Sequence, residues 1–235
     1  MVDNTYSSSE GICPKCCRYG KWDGIKCGRC GYDIQLAKIN PQLSGQILYF
    51  RNPVLYEPEQ IYQSKDLVPD EPGVYGWYYN YSFENLFDEV SKPLFVQNRI
   101  TVSSDNKEYS LMYIGIAGKT EKNRSLRDRI YDDHLIQNSE GSTVRQSLAA
   151  LLYDKIGLDP RKQLNGEEER TKLNSWIFRY AKVAWITCED PESVETELFK
   201  IYGKILPLNL KGNEKTNPCY TKLSDLRKNW RDKAQ

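Results

Sequence analysis

No stretch of this sequence is apolar for long enough to cross a bilayer: the longest runs, such as "SLAALLY" at 147–153, stop far short of the ~20 residues a spanning helix needs. A membrane partner is not expected. Nor does either charge dominate, with 33 Lys+Arg against 32 Asp+Glu and a formal net charge of +1. Bulk electrostatics therefore do not announce a nucleic-acid partner, and a basic footprint has to come from local clusters such as "RSLRDR", "STVRQS" and "SDLRKNWRDK". The first residues, "MVDNTYSSSEG", lack the basic leader and apolar core of a secretory signal, so the expected compartment is the cytoplasm. Internal repeats and low-complexity tracts are also absent. What remains is 235 residues with 39% hydrophobic and 28% charged content, the composition of one well-cored domain with a smaller appendage.

Seven cysteines in such a chain read as metal ligands or reactive thiols before disulfides. Cys13 and Cys16 form C-P-K-C, ten residues follow, and Cys27 and Cys30 form C-G-R-C. Two intervening residues let both sulfurs of one tight turn reach a single ion, and two such turns make the tetrahedral four-sulfur shell of a structural Zn²⁺ site. Cys17 is a substitute for Cys16 that would widen the first turn. A closed four-thiolate shell leaves no open position for chemistry, which makes the ribbon a stabilising or recognition module.

From residue 40 the composition changes, with Pro41, Pro53, Pro58, Pro69 and Pro72 among polar residues and only "QILYF" apolar. The expected organisation is a zinc ribbon over 1–39, a surface linker over 40–68 and a main domain over 69–235. Within that domain "GVYGWYY" and "YSLMYIGIA" read as strands, "NLFDEV" as a helical turn, and "NRITVSSDNKEYS" as a strand with a hairpin turn. "SLRDRIYDDHL" has helical spacing with Ser125 as cap, and "STVRQSLAALLYDKIG" is a helix capped by Ser142 and ended by Gly157. "WIFRYAKVAWITC" reads as a strand after a helix at 167–175, and "PESVETELFKIYGKI" as a further helix. This order predicts an α+β domain with a small sheet.

Tyr75 and Tyr113 each stand in an apolar strand beside a glycine. Alone, they are two of 17 tyrosines and read as core. Their setting adds more: "GVY", an intact "YIG", Leu-x-x-Arg-Ile at 126–130, Glu-x-x-Leu-Phe-Lys at 195–200 and Pro-Leu-Asn at 207–209. From residue 72 onward this order resembles the GIY-YIG nuclease family. "YIGIAG", "GSTVRQSLAALL" and "LPLNLKGN" resemble a restriction-type or uncharacterised branch of it.

The resemblance implies a three-stranded antiparallel sheet flanked by helices, one divalent metal ion, and hydrolysis of DNA phosphodiesters. Tyr75 or Tyr113 would orient or deprotonate the attacking water, with Tyr75 preferred as base. Arg129 would supply positive field and grip the phosphate, ahead of its rivals Arg124 and Arg127. Glu195 is preferred over Glu197 as ligand for Mg²⁺ or Mn²⁺, because it projects within the apolar arc of its helix, where a carboxylate is costly without a compensating cation. His134, the only histidine, lies five residues after Arg129, where the family places a His or Tyr about one turn on. Asp133 holds the four-residue step, so either the helix bends or His134 plays no part, with Tyr131 as the alternative. Asn209 would be a supporting hydrogen-bond donor. Lys119 would fill the role of a lysine after "YIG", and Ser142 and Arg145 would meet the DNA backbone at a helix N-terminus.

The 38 positions from Tyr75 to Tyr113 exceed the compact family spacing and predict an inserted hairpin. The functional expectation is a metal-dependent DNA endonuclease with a restriction or defence role. The alternatives are a structure-specific repair nuclease, a non-catalytic zinc-ribbon nucleic-acid binder and a zinc-ribbon protein–protein adaptor. A homodimer is a common way for such an enzyme to cut both strands, though no residue marks an interface. "LRKNWRDK" is either a basic helix tracking DNA or an ordinary solvated terminal helix.

Overall fold

The computed structural model describes the strand backbone at 9–12, 19–23 and 26–27, and residues 43–81, 100–118, 124–136, 142–202, 206–210 and 219–233. The chain divides into two units, Met1–Gly45 and Gln46–Gln235.

In the first unit, β1 (Ser9–Ile12), β2 (Tyr19–Asp23) and β3 (Lys26–Cys27) form an antiparallel sheet in that order. β1 and β3 both run antiparallel to β2 and so point the same way. Cys27 ends β3 and Cys13 follows the last residue of β1. Cys13, Cys16 and Cys30 lie outside the described residues, and of Cys27 only the backbone is described.

The second unit is built on β4 (Gly73–Tyr79), β5 (Thr101–Ser104), β6 (Lys107–Ala117) and β7 (Ala181–Thr187), all antiparallel, in the order β5-β6-β4-β7. The sheet therefore has four strands where three were expected. The extra strand, β5, comes from the hairpin inserted between the two tyrosine motifs. Asp105 (φ 51°) and Asn106 (φ 59°) make its two-residue turn, the left-handed pair that matches the twist of a tight hairpin. "NLFDEV" lies outside the described residues.

Period-two alternation divides the residues of β4 between the sheet's faces. Tyr75, Trp77 and Tyr79 face α3 (Asp128–Ile136), α4 (Thr143–Ile156), α5 (Glu167–Tyr180) and α7 (Tyr220–Asp232), forming the main core with Leu126, Ile130, Leu148, Leu152, Trp176 and Leu223. Val74, Gly76 and Tyr78 face α1 (Ser44–Tyr49) and α6 (Pro191–Tyr202). Phe50, just past α1, packs against Gly76, where an added Cβ would lie 3.1 Å from its ring, and the Tyr78 hydroxyl donates to its carbonyl at 2.7 Å.

This second face corrects the expectation of a surface linker. From residue 46 onward the segment belongs to the second unit. It forms α1, α2 (Pro58–Gln63) and a 3₁₀ turn at Lys65–Leu67, and buries Ile47, Phe50, Ile61 and Val68 completely. Tyr56 adds a bridge to the edge of β7, with its N–H 2.8 Å from the Val183 carbonyl. The prolines were a poor guide because Pro58 occupies the first turn of α2, where its missing N–H costs nothing.

α5 also runs further than expected, through Trp176–Tyr180, because Leu173, Trp176 and Ile177 form a buried helical stripe before the chain enters β7. The caps of α4 match expectation: Ser142 accepts from the Arg145 N–H, and Gly157 (φ 66°) turns the chain out.

Phe50→Ala is expected to destabilise the protein by about 3–5 kcal/mol, the usual cost of emptying a buried aromatic site. Urea unfolding measures it, and a loss below about 1 kcal/mol would mean that the segment before β4 is not part of the core.

Candidate active site

The site begins with a glycine. Tyr75 on β4 is in register with Gly115 on β6, and a Cβ on Gly115 would lie 2.4 Å from the Tyr75 hydroxyl oxygen. Only a residue without a side chain lets the phenol lie across the sheet there, which gives the final glycine of "YIG" its physical reason. The Tyr75 and Tyr113 rings stand 6.2 Å apart between centroids.

α3 brings the next groups. Ser125 and Asp128 cap its start reciprocally, with Asp128 N–H donating to Ser125 Oγ at 3.2 Å and Ser125 N–H to Asp128 Oδ2 at 2.8 Å. The helix is then wound as a π-helix, whose i→i+5 hydrogen bonds place residues five apart one turn from each other. That winding sets the position of His134. Five residues after Arg129, it returns to the side of Tyr75, and its Nε2 is 2.7 Å from the Tyr75 hydroxyl. Tyr131 is only half-buried and packs at the margin of the core.

Behind the imidazole, Nδ1 is 2.7 Å from Ser142 Oγ, which also accepts the Arg145 N–H at 3.2 Å. Tyr75, His134 and Ser142 thus form one hydrogen-bonded chain, and all three are buried. Ser142 was expected at DNA and instead serves as α4's cap and the imidazole's partner.

Arg145 is likewise corrected from a backbone contact to a buried brace. Its guanidinium donates to the His134 carbonyl at 2.8 Å and to Asn174 Oδ1 at 2.6 Å, while Asn174 Nδ2 donates to the Leu135 carbonyl at 2.8 Å. These two side chains satisfy carbonyls that the end of α3 would otherwise leave unpaired. Burial pushes the Arg145 pKa down to about 10, which still leaves it charged at neutral pH.

Arg129 is 22% exposed and pairs with the fully buried Asp133, which also accepts from Arg124 at 2.7 Å. One carboxylate thus serves two guanidiniums, leaving the group net positive. Arg127 points elsewhere, to the Val68 carbonyl at 3.0 Å. Tyr75 raises the Arg129 pKa above its ordinary value, with Tyr113 and Asp133 adding to the effect and burial opposing it. The Tyr75 phenol is itself pushed well above its usual range, chiefly by burial and then by Tyr113, so it is neutral in the resting protein. Tyr113 is slightly more open, and its hydroxyl lies 3.2 Å from Thr143 Oγ1 at the exposed start of α4.

The remaining expected residues are spread more widely. Asn209 clamps the backbone of β6, accepting from Ile114 N–H at 2.8 Å and donating to Ile114 O at 2.6 Å. It fixes the strand that carries Tyr113. Glu195 and Glu197 are both partly buried on α6, and Glu197 pairs with Lys200. α6 packs on the sheet face that carries Tyr78. Lys119 lies outside the described residues. Sequence reasoning missed Asp133, Thr143 and Asn174 as members of this network. Of these, only Asp133 had a visible signal, its four-residue step from Arg129.

With this geometry in place, the comparisons give it a family. A sequence model of the GIY-YIG catalytic domain matches residues 73–229, more than half of the chain, and the chain belongs to that family. Family membership implies nuclease activity, with DNA as the substrate. No curated protein and no solved structure gives a significant match. No described helix is long and apolar enough to cross a membrane.

Two predictions follow from the buried chain. Burial, then Arg129, Arg145 and Arg124, hold the His134 pKa well below 6.5, so its imidazole should stay neutral on acidification while the unfolded chain takes up a proton. Stability should therefore fall as pH drops below about 6.5, by at most ~1.4 kcal/mol per unit from this group. NMR of the sole imidazole should show no titration between pH 8 and 6, and His134→Gln should flatten the stability loss between pH 6.5 and 5.5. An ordinary histidine titration would refute the buried neutral state. Gly115→Ala should displace the Tyr75 ring, cost about 1–3 kcal/mol in urea unfolding and disrupt the hydrogen bond to His134, which the shift of the same imidazole signals would report.

Proposed function

We propose that the protein is a divalent-metal-dependent DNA endonuclease in which Tyr75, backed by His134, accepts a proton from the attacking water. The observation that carries this reading is the hydrogen-bonded Tyr75–His134–Ser142 chain beside Arg129. Among the described residues Tyr113 has no comparable base behind it, and its hydroxyl meets Thr143. It is better suited to orienting the water.

Proton bookkeeping follows from the chain. As the water oxygen attacks phosphorus, its proton passes to the Tyr75 oxygen, whose own proton passes to His134 Nε2. Ser142 Oγ receives the Nδ1–H of the resulting imidazolium. In the free protein that imidazolium is opposed by burial and three arginines. A phosphate drawn to Arg129 offsets part of that positive field at the moment the proton arrives. Arg129 also stabilises the negative charge that grows on the phosphate oxygens. In the resting protein Asp133 holds its guanidinium.

Among the described residues no group of three or more His, Cys, Asp or Glu side chains could hold a metal ion. The available donor set is a single carboxylate, which fits Mg²⁺ or Mn²⁺ completed by water. Glu195 is the carboxylate we assign, on its place within the apolar arc of α6 and in the Glu-x-x-Leu-Phe-Lys motif. When bound, the cation would offset charge on the leaving oxygen. Cys13, Cys16, Cys27 and Cys30 would hold structural Zn²⁺, a reading supported by their paired spacing and the common direction of β1 and β3. A restriction or defence role rests only on the branch resemblance of "YIGIAG", "GSTVRQSLAALL" and "LPLNLKGN".

Cleavage of supercoiled plasmid with Mg²⁺ or Mn²⁺ tests the proposal. Arg129→Ala and Glu195→Gln should each lower the rate at least ~100-fold, the usual scale for a lost electrostatic group, while Glu197→Gln should retain activity. Loss in Glu197→Gln alone would move the metal ligand. Absence of cutting with DNA binding intact would favour a non-catalytic binder.

A further inference from the structure

We propose that Arg227 on the C-terminal helix α7 is a second phosphate-binding guanidinium of this site, contacting a non-bridging oxygen of the bound DNA strand on the Tyr113 side. The inference rests on the DNA-cleaving reading above, although its test does not require cleavage.

The geometry starts from α4. Thr143 at its N-terminus meets Tyr113 at 3.2 Å, and Gln146, three residues on and on the same face, accepts a hydrogen bond from Arg227. α7 packs along α4, which brings the arginine to the site. Tyr113 thus has a guanidinium in electrostatic reach on either hand, Arg129 from α3 and Arg227 from α7.

Arg227 lacks the compensation its neighbours have and is still open to solvent. Arg124 and Arg129 share Asp133 and Arg127 lies near Asp66 and Asp70, whereas Arg145, which also has no ion pair and leaves Nε and Nη2 without partners, is wholly buried and out of reach of a ligand. Among the described residues Arg227 has no ion pair, and its buried Nε has no hydrogen-bond acceptor. Burial disfavours its charge, and Arg231, one turn further along α7, adds like-charge repulsion. A half-buried cation with an unused donor and a like charge beside it is costly unless an anion joins it. On a DNA-cleaving domain that anion is a phosphodiester. Gln146, a neutral acceptor, releases the guanidinium at smaller cost than a carboxylate would.

The test is binding of a duplex oligonucleotide in EDTA over a range of salt, beside cleavage kinetics and thermal unfolding of the full chain. Arg227→Gln should make the slope of log K against log salt shallower by about 0.9, as expected for one lost phosphate contact, and raise KM for cleavage about tenfold. Its Tm should be unchanged or higher, because an uncompensated charge has gone. Arg227→Lys should keep most of the salt slope. An unaltered slope in Arg227→Gln overturns the proposal whether or not Tm falls, and a fall in Tm would make the Gln146 contact a helix–helix tether. Failure of the wild type to bind the duplex also overturns it. A wild type that binds but never cuts removes the nuclease reading while leaving the salt slope to decide Arg227.

Discussion

A phenol ring can lie across a sheet only where the neighbouring strand presents no side chain. Gly115 provides that opening on β6, and the Tyr75 hydroxyl occupies it. Once the ring is fixed, the imidazole that meets it must come from the helix above, in register with a hydroxyl too far into the core to adapt. α3 meets that demand by π winding, and Arg145 and Asn174 take up carbonyls at its end. The helix geometry, its capping from α4 and α5, and the burial of Ser142 all follow from the position of one tyrosine.

The electrostatics follow from the same burial. The site gathers Arg124, Arg129 and Arg145 around one buried carboxylate and one imidazole, and Asp133 Oδ1 has no hydrogen-bond partner. Such a cluster is a poor stability device, because each buried charge costs more to desolvate than imperfect pairing returns. It is better understood as a positive field prepared for an anion. Burial first, and then that field, keep His134 neutral in the resting protein.

Much of this was legible in the sequence, and what was not has identifiable causes. Strand identity and the α4 caps could be read because alternation, Ser142 and Gly157 are local signals. The fourth strand was foreshadowed by an overlong spacing and a turn at Asp105–Asn106. The segment before β4 was misjudged because five prolines dominated its composition, while Ile47, Phe50, Ile61 and Val68 are too widely spaced to form a pattern. At the site, motif order singled out Tyr75, Tyr113 and Arg129, which the fold brings close together. His134 was ambiguous because an i,i+4 rule assumes an α-helix. Ser142 and Arg145 were assigned outward because a helix N-terminus usually faces solvent, and nothing local indicates that these two side chains turn inward.

The same burial limits how catalysis can proceed. Tyr75 is inaccessible in the resting protein, whereas Arg129 is partly open and Tyr113 lies beside the exposed Thr143. A water molecule can reach the Tyr75 oxygen only if a neighbour moves, and Arg129 is the neighbour with both exposure and a reason to move, since a phosphate competes with Asp133 for its guanidinium. Substrate binding and exposure of the base would then be one event. In the proposed mechanism, a resting site closed in this way would keep its proton acceptor away from bulk water until a DNA strand displaced Arg129.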